Sequence, residues 1–174
     1  MDPAYETFSC EARPDADASS DASTSPHLSG RRRMKRAKRI LVGLKTLDSA
    51  GALVELGCRL GARGARLLLV HVIELPDITP LNAEVPGVDA MAARIVRAGK
   101  GVAHRNRMRV ESLVLRAHNA GEALLDELKT RKIELAVLGY HRRRTLGELI
   151  LGTTARHLAN KAPCHIVLNI PRRD

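Results

Sequence analysis

The sequence predicts an α/β domain built on a parallel sheet with helices on both faces. Three observations carry that expectation. Five short apolar runs are separated by segments of helical period, so strand and helix alternate along the chain. At least two of the runs are continuously apolar, as strands buried on both faces are. The connections between runs are long enough to hold the crossover helices that parallel neighbours need.

The first run, RILVGLK from Arg39, reads as a buried strand ending at a glycine and a lysine. Asp48 and Ser49 follow as suitable helix N-caps, with Leu53, Leu56 and Leu60 at helical spacing until Gly61 and Gly64 stop the pattern. ARLLLVHVIE is the second strand. LPDITPLNAEVPG, with Pro76, Pro80 and Pro86, is a long loop. A helix from about Asp89 to Asn106 follows, with Met91, Ile95 and Val102 inward and Gly99 and Gly101 weakening it. MRVESLVLRA is a third strand, GEALLDELKTRK an amphipathic helix and IELAVLGY a fourth strand. A helix from about Gly152 to Lys161 and a last strand, CHIVLNI, complete the alternation.

The chain of 174 residues suits one core plus a tail. That core must be aliphatic, since there is no Trp, one Phe and two Tyr. Scarce aromatic faces argue against a module that stacks single-stranded bases. Residues 1–30 carry six acids against one base and few large apolar groups, and are expected to be disordered. RRRMKRAKR follows, with seven bases in nine residues, and reads as a solvated lead-in or as a contact for nucleic acid or an anionic membrane. The expected organisation is a tail and basic lead-in over 1–36 and one domain over 37–171. A body carrying 28 bases against 13 acids should attract phosphates, anionic lipid heads or acidic partners in a salt-dependent way.

Cys10, Cys58 and Cys164 are far apart and form no CxxC pair, which fits a reducing compartment. The acidic N-terminus lacks the apolar stretch of a signal peptide, and no apolar run is long enough to span a bilayer. The seven histidines show no metal-ligand spacing; His71, inside an apolar strand, reads as a core residue with a satisfied ring. No nucleophile elbow is present, and Cys164 at the start of a buried strand reads as packing. No reaction is specified, and a non-enzymatic role is expected.

Ligands of open parallel sheets bind beyond the carboxyl ends of the strands. The segments there are Gly43 to Thr46 with Leu44 and Lys45, Val72 to Glu74, and Gly139 with Tyr140 onward. In GYHRRRTLGELILGT, Gly139 ends a strand while Gly152, Thr153 and Thr154 open a helix. A glycine turn and free helix N-terminal amides together make a cradle for phosphate, to which the threonine hydroxyls can add. This is neither a Walker loop nor a GxGxxG turn.

The segment LGYHRRRTLGELILGTTARHLANKAPCHIVL resembles the C-terminal signature of universal stress proteins, and LLLVHVIE resembles that family's second strand. The resemblance spans roughly residues 37–171. It implies a five-stranded parallel sheet in the order 3-2-1-4-5, a cytoplasmic location and a homodimer formed through the last strands. Many members bind ATP through G-x2-G-x9-G-[S/T] and an Asp at the end of strand one. Gly139 matches the first glycine and Gly152 with Thr153 the last pair, but Arg142 stands at the second glycine and Lys45 where the carboxylate is expected. Arg142 could supply a charge-assisted contact to the anion, or its side chain could close the cradle. Asp48 reads as a helix cap. Arg143 and Arg144 are left to solvent or an acidic partner.

The resemblance therefore implies a binding or regulatory protein, with an adenine nucleotide, ATP, as its ligand. The alternative is a member that binds no nucleotide and serves as a basic interaction module beside a transporter, a membrane surface or nucleic acid.

Overall fold

A computed structural model describes Glu6–Phe8, 36–140 and 152–170. In chain order the elements are β1 (Glu6–Phe8), β2 (Ala37–Leu44), α1 (Leu47–Leu60), β3 (Gly61–Glu74), α2 (Pro86–Arg105), β4 (Arg109–Ala117), α3 (Ala120–Thr130), β5 (Leu135–Gly139), α4 (Thr153–Lys161) and β6 (His165–Asn169). The sheet order is β1-β6-β5-β2-β3-β4. The five strands from β2 to β6 are parallel, and numbered among themselves they run 3-2-1-4-5, the order expected. The chain winds outward from β2 through β3 to β4, then returns to the other side for β5 and β6. That reversal opens a crevice between the carboxyl ends of β2 and β5.

Period-two alternation along each strand divides the core into two layers. Ile40, Val42, Leu67, Leu69, Leu135 and Val137 face α1 and α2, where Leu53, Val54 and Ile95 meet them. Leu41, Leu68, Val70, Ala136 and Leu138 face α3 and α4, where Leu124, Leu128 and Leu158 meet them. Strands covered on both sides bury both sets of side chains, which is why β2 and β5 read as unbroken apolar runs.

Several boundaries differ from the sequence expectation. The N-cap of α1 is Thr46, and the helix already begins at Leu47. Asp48 is thus a first-turn acid favoured by the helix dipole, not the cap; Ser49 meets Thr46 through a hydroxyl–hydroxyl contact of 2.8 Å. Helix α2 starts at Pro86, which occupies the first turn where a missing N–H costs nothing. Met91 is exposed on α2 and not inward; the buried stripe is Ala92, Ile95, Val96, Gly99 and Ala103.

Gly99 sits where α2 rides closest on the sheet. A methyl group there would lie 3.0 Å from Leu44 Cδ1 and 3.1 Å from Leu69 Cδ1, so the residue that weakens the helix locally is required by packing. The strand β3 also begins earlier than expected. Its pairing with β2 jumps between Ala37↔Gly61 and Arg39↔Arg66, and Gly64, at φ 77°, turns the extra residues out of register.

Glu6–Phe8 corrects the expectation of a wholly unstructured tail for these three residues. They pair antiparallel with β6, in the register Glu6↔Leu168, Thr7↔Val167 and Phe8↔Ile166. The reason is a property of β6, whose outer edge offers unpaired backbone groups that a short segment of almost any sequence can satisfy.

Candidate functional site

The expected site lies at the carboxyl ends of β2, β3 and β5, and the fold brings most of its positions to one edge. Gly43 pairs with Val70 of β3 and Leu138 of β5, so it sits in the middle of the three strands. Leu44 ends β2 with its side chain buried in the core, which leaves its backbone alone near the crevice. Its carbonyl oxygen is already committed: it accepts from Nδ1 of His71, 2.8 Å away. A carbonyl can only accept, so the ring carries its proton on Nδ1. His71 is accordingly a buried, satisfied residue that ties the ends of β2 and β3 together.

Lys45 follows Leu44 and is exposed. Val72 is half-buried and paired with Leu115 of β4, on the side of β3 away from β5. Gly139 ends β5 in register with Asn169 and is exposed; a side chain there would press on Leu53 of α1 at 3.1 Å. Tyr140 corrects the sequence reading. Its ring is buried and its backbone N–H donates to Asn169 O at 3.1 Å, so that amide extends the β5–β6 ladder and does not face a ligand. The Tyr140 hydroxyl is buried with no hydrogen-bond partner among the described residues. Arg142, with Arg143 and Arg144, lies outside the described residues.

Gly152, Thr153 and Thr154 open α4. Gly152 is the N-cap, at φ −59° and ψ 155°, and no side chain caps the helix. The carbonyl of Gly152 accepts from Arg156 N at 2.9 Å, while the first-turn amides have no partner within the helix. The electrostatics of the four helix starts differ in one respect. Helices α1, α2 and α3 carry Asp48, Asp89 and Glu122 in their first turns; α4 carries no acid there. Among the described helices, α4 is thus the one with no acid in its own first turn to offset its positive end. Thr153 is exposed and Thr154 half-buried, so both hydroxyls lie near those amides.

On the far side of the carboxyl edge the loop after β3 is held down by β4. Arg116 donates to the carbonyl of Ala83 and pairs with Asp89 at 2.5 Å, and His118 Nδ1 lies 3.2 Å from Leu75 O. At this edge the sequence reading missed the role of Thr46 as the cap of α1 and missed Arg116 altogether. A threonine two residues beyond a strand was a usable N-cap signal, whereas nothing local marks Arg116 as a clamp on a loop 33 residues earlier.

The remaining candidates for chemistry have packing roles. Cys164 is half-buried against the α3–α4 layer, and burial pushes its thiol up to about 11. Burial, and then the charge of Glu55, raise the Cys58 thiol as well. His157 Nε2 lies 3.2 Å from Glu122 Oε1, close enough for attraction but off the line of a hydrogen bond, and links α4 to α3. No group of three or more His, Cys, Asp or Glu is placed to hold a metal among the described residues.

A doubly wound parallel sheet whose strand order reverses between β2 and β5 defines an open α/β protein, the class in which ligands lie beyond the carboxyl ends of the strands at such a reversal. The comparisons narrow the class. The Universal stress protein family model matches residues 36–168. The chain belongs to the universal stress protein family. A relative from Thermus aquaticus, "Universal stress protein in QAH/OAS sulfhydrylase 3'region", is 33% identical over 112 residues, covering 62% of this chain and 79% of the relative. A universal stress protein solved in complex with cAMP superposes with a TM-score of 0.60 at 18% identity, over 77% of this chain and 97% of that one. The Archaeoglobus fulgidus universal stress protein in complex with dAMP gives 0.57 at 18% identity, over 75% and 95%.

Proposed function

We propose that this protein is a non-catalytic binding protein that takes an adenine nucleotide at the carboxyl edge of its sheet and works through the state so created. The observation that carries the reading is the start of α4, where free amides, two threonines and the absence of any first-turn acid coincide at the β2/β5 reversal. The phosphate sits on the Gly152–Thr154 amides. The nucleoside lies over Gly43, Lys45 and the end of β3 near Val72. That structurally similar proteins were solved in complex with cAMP and dAMP supports an adenine nucleotide as the ligand. ATP is the fullest ligand that such a site accepts. The setting is cytoplasmic, and two copies associate as a homodimer.

Thermal unfolding with AMP, ATP and sulfate at constant ionic strength tests this. A ligand at 100 times its Kd adds about 2.7 kcal/mol of stability, so AMP and ATP should raise the melting temperature by several degrees where sulfate does not. Equal shifts from all three anions would sink the nucleotide reading. No phosphate should be released from ATP on prolonged incubation.

One observation favours a second reading. Lys45 is exposed where a carboxylate would accept from the nucleoside, so the pocket has lost an acceptor and gained a cation. If neither nucleotide stabilises the protein, it is a basic interaction module whose partner is an acidic protein or an anionic surface.

A further inference from the structure

The opposite end of the sheet carries charge that the nucleotide reading leaves unused. Arg39 of β2 is in register with Arg66 of β3, and Arg66 with Arg109 of β4. Paired positions of parallel strands point to the same face, so three guanidinium groups stand in a row across strands about 4.8 Å apart. The face is that of α3, whose C-cap, Arg131, reaches over the row. Together these side chains line a recess of about 270 Å³ with Glu111 and Ile133.

The carboxylates near the recess are committed to its rim. Arg39 pairs with Glu134 at 2.9 Å and donates to Lys132 O at 2.6 Å. Arg131 pairs with Glu127 and Glu111, each at 2.7 Å. These contacts fix the guanidinium groups of Arg39 and Arg131. Arg66 and Arg109 have no ion pair or hydrogen bond among the described residues. Like charges directly opposite on neighbouring strands are destabilising, so Arg66 and Arg109 form a feature that is unfavourable until an anion joins them.

We propose that this recess is a second anion site, in which Arg66 and Arg109 grip a compact diphosphate-class anion. Each guanidinium is a planar fork that matches one phosphoryl group bidentately, so two side by side match two linked phosphoryl groups. The recess, at about 270 Å³, lies at the small end of the roughly 300–1,000 Å³ of sites that enclose drug-sized ligands, which suits a compact anion. Arg39 and Leu44 are five residues apart on one strand, roughly 17 Å at the usual rise. The recess and the α4 start therefore belong to opposite ends of the domain, and occupancy of one leaves the other open.

Calorimetric titration with sodium pyrophosphate at constant ionic strength tests the proposal on three proteins: the full chain, R66Q/R109Q and G152D. G152D, whose carboxylate closes the α4 cradle, should keep one pyrophosphate site, and R66Q/R109Q should bind at that site at least tenfold more weakly. The double variant alters only exposed side chains, and its ligand-free melting temperature should equal or exceed that of the full chain because a like-charge contact is removed. Undiminished binding by R66Q/R109Q overturns the proposal. So does loss in G152D alone, which would assign the anion to the α4 site. A duplex oligonucleotide that binds the full chain where pyrophosphate does not would overturn it in favour of a nucleic-acid surface.

Discussion

His71 Nδ1 meets the carbonyl oxygen of Leu44 at 2.8 Å, joining the last residue of β2 to the carboxyl end of β3. Both residues are buried, so the carbonyl has no water to turn to if the ring is removed. Replacing His71 with Leu keeps the bulk and deletes the donor. An unsatisfied buried acceptor costs about 1–3 kcal/mol. Urea unfolding of H71L should show a loss of that size, and amide exchange should quicken at the end of β2 before it does in β5.

Gly152 separates stability from binding. Its backbone lies in a region open to any residue, and among the described residues beyond its chain neighbours no atom lies within 4 Å of where a Cβ would be. An aspartate there would cap α4 and oppose the helix dipole, for a gain of about 0.3–1 kcal/mol. The same carboxylate would stand where the phosphate binds. G152D should therefore melt at a higher temperature than the natural chain and bind AMP at least tenfold more weakly, measured by calorimetry on the same preparation.

Cys164 has a thiol held up to about 11 by burial, the main cause, against a hydrogen bond from the Ala136 backbone that pulls it down. The folded state therefore binds this proton more tightly than the unfolded chain does. The resulting stability is whole below about pH 9, the ordinary value, and is lost as pH climbs from there through 11. Urea midpoints should fall over that window in the natural protein and fall less in C164A. Thiol modification at pH 8 should be far slower at Cys164 than for glutathione.

The edge of β6 is the surface through which the family resemblance implies pairing of two copies, and here Glu6–Phe8 covers it. A three-residue strand is held weakly and locally, so pairing with another copy has to displace it. Removing residues 1–10 should expose the edge and shift the protein toward larger species. Light scattering at matched micromolar concentrations checks this; an unchanged mass distribution would mean that the strand does not guard the edge.

Much of the fold was legible because its signals are local. Leu41, Val42, Leu68 and Leu69 announce doubly covered strands by continuity alone, and each helix carries its own period. Boundaries were less legible where packing overruled propensity: Gly99 looked like a helix weakness and is a close contact, while Met91 fits the helical period yet faces solvent. In the site, Gly139, Gly152 and Thr153 stood out by spacing. The buried role of Tyr140 did not, because its amide is consumed by Asn169, 29 residues later.

Sequence alone settled the α/β class, the run of elements and the basic body, since periodicity and charge are written residue by residue. It also carried the family likeness in two separate segments. That likeness implied the strand order 3-2-1-4-5, which the sheet has; only the tertiary structure decided that β6 has a partner in Glu6–Phe8 and that Arg39, Arg66 and Arg109 form one row. Those facts depend on register between segments up to about 160 residues apart, and register is set by how whole faces pack.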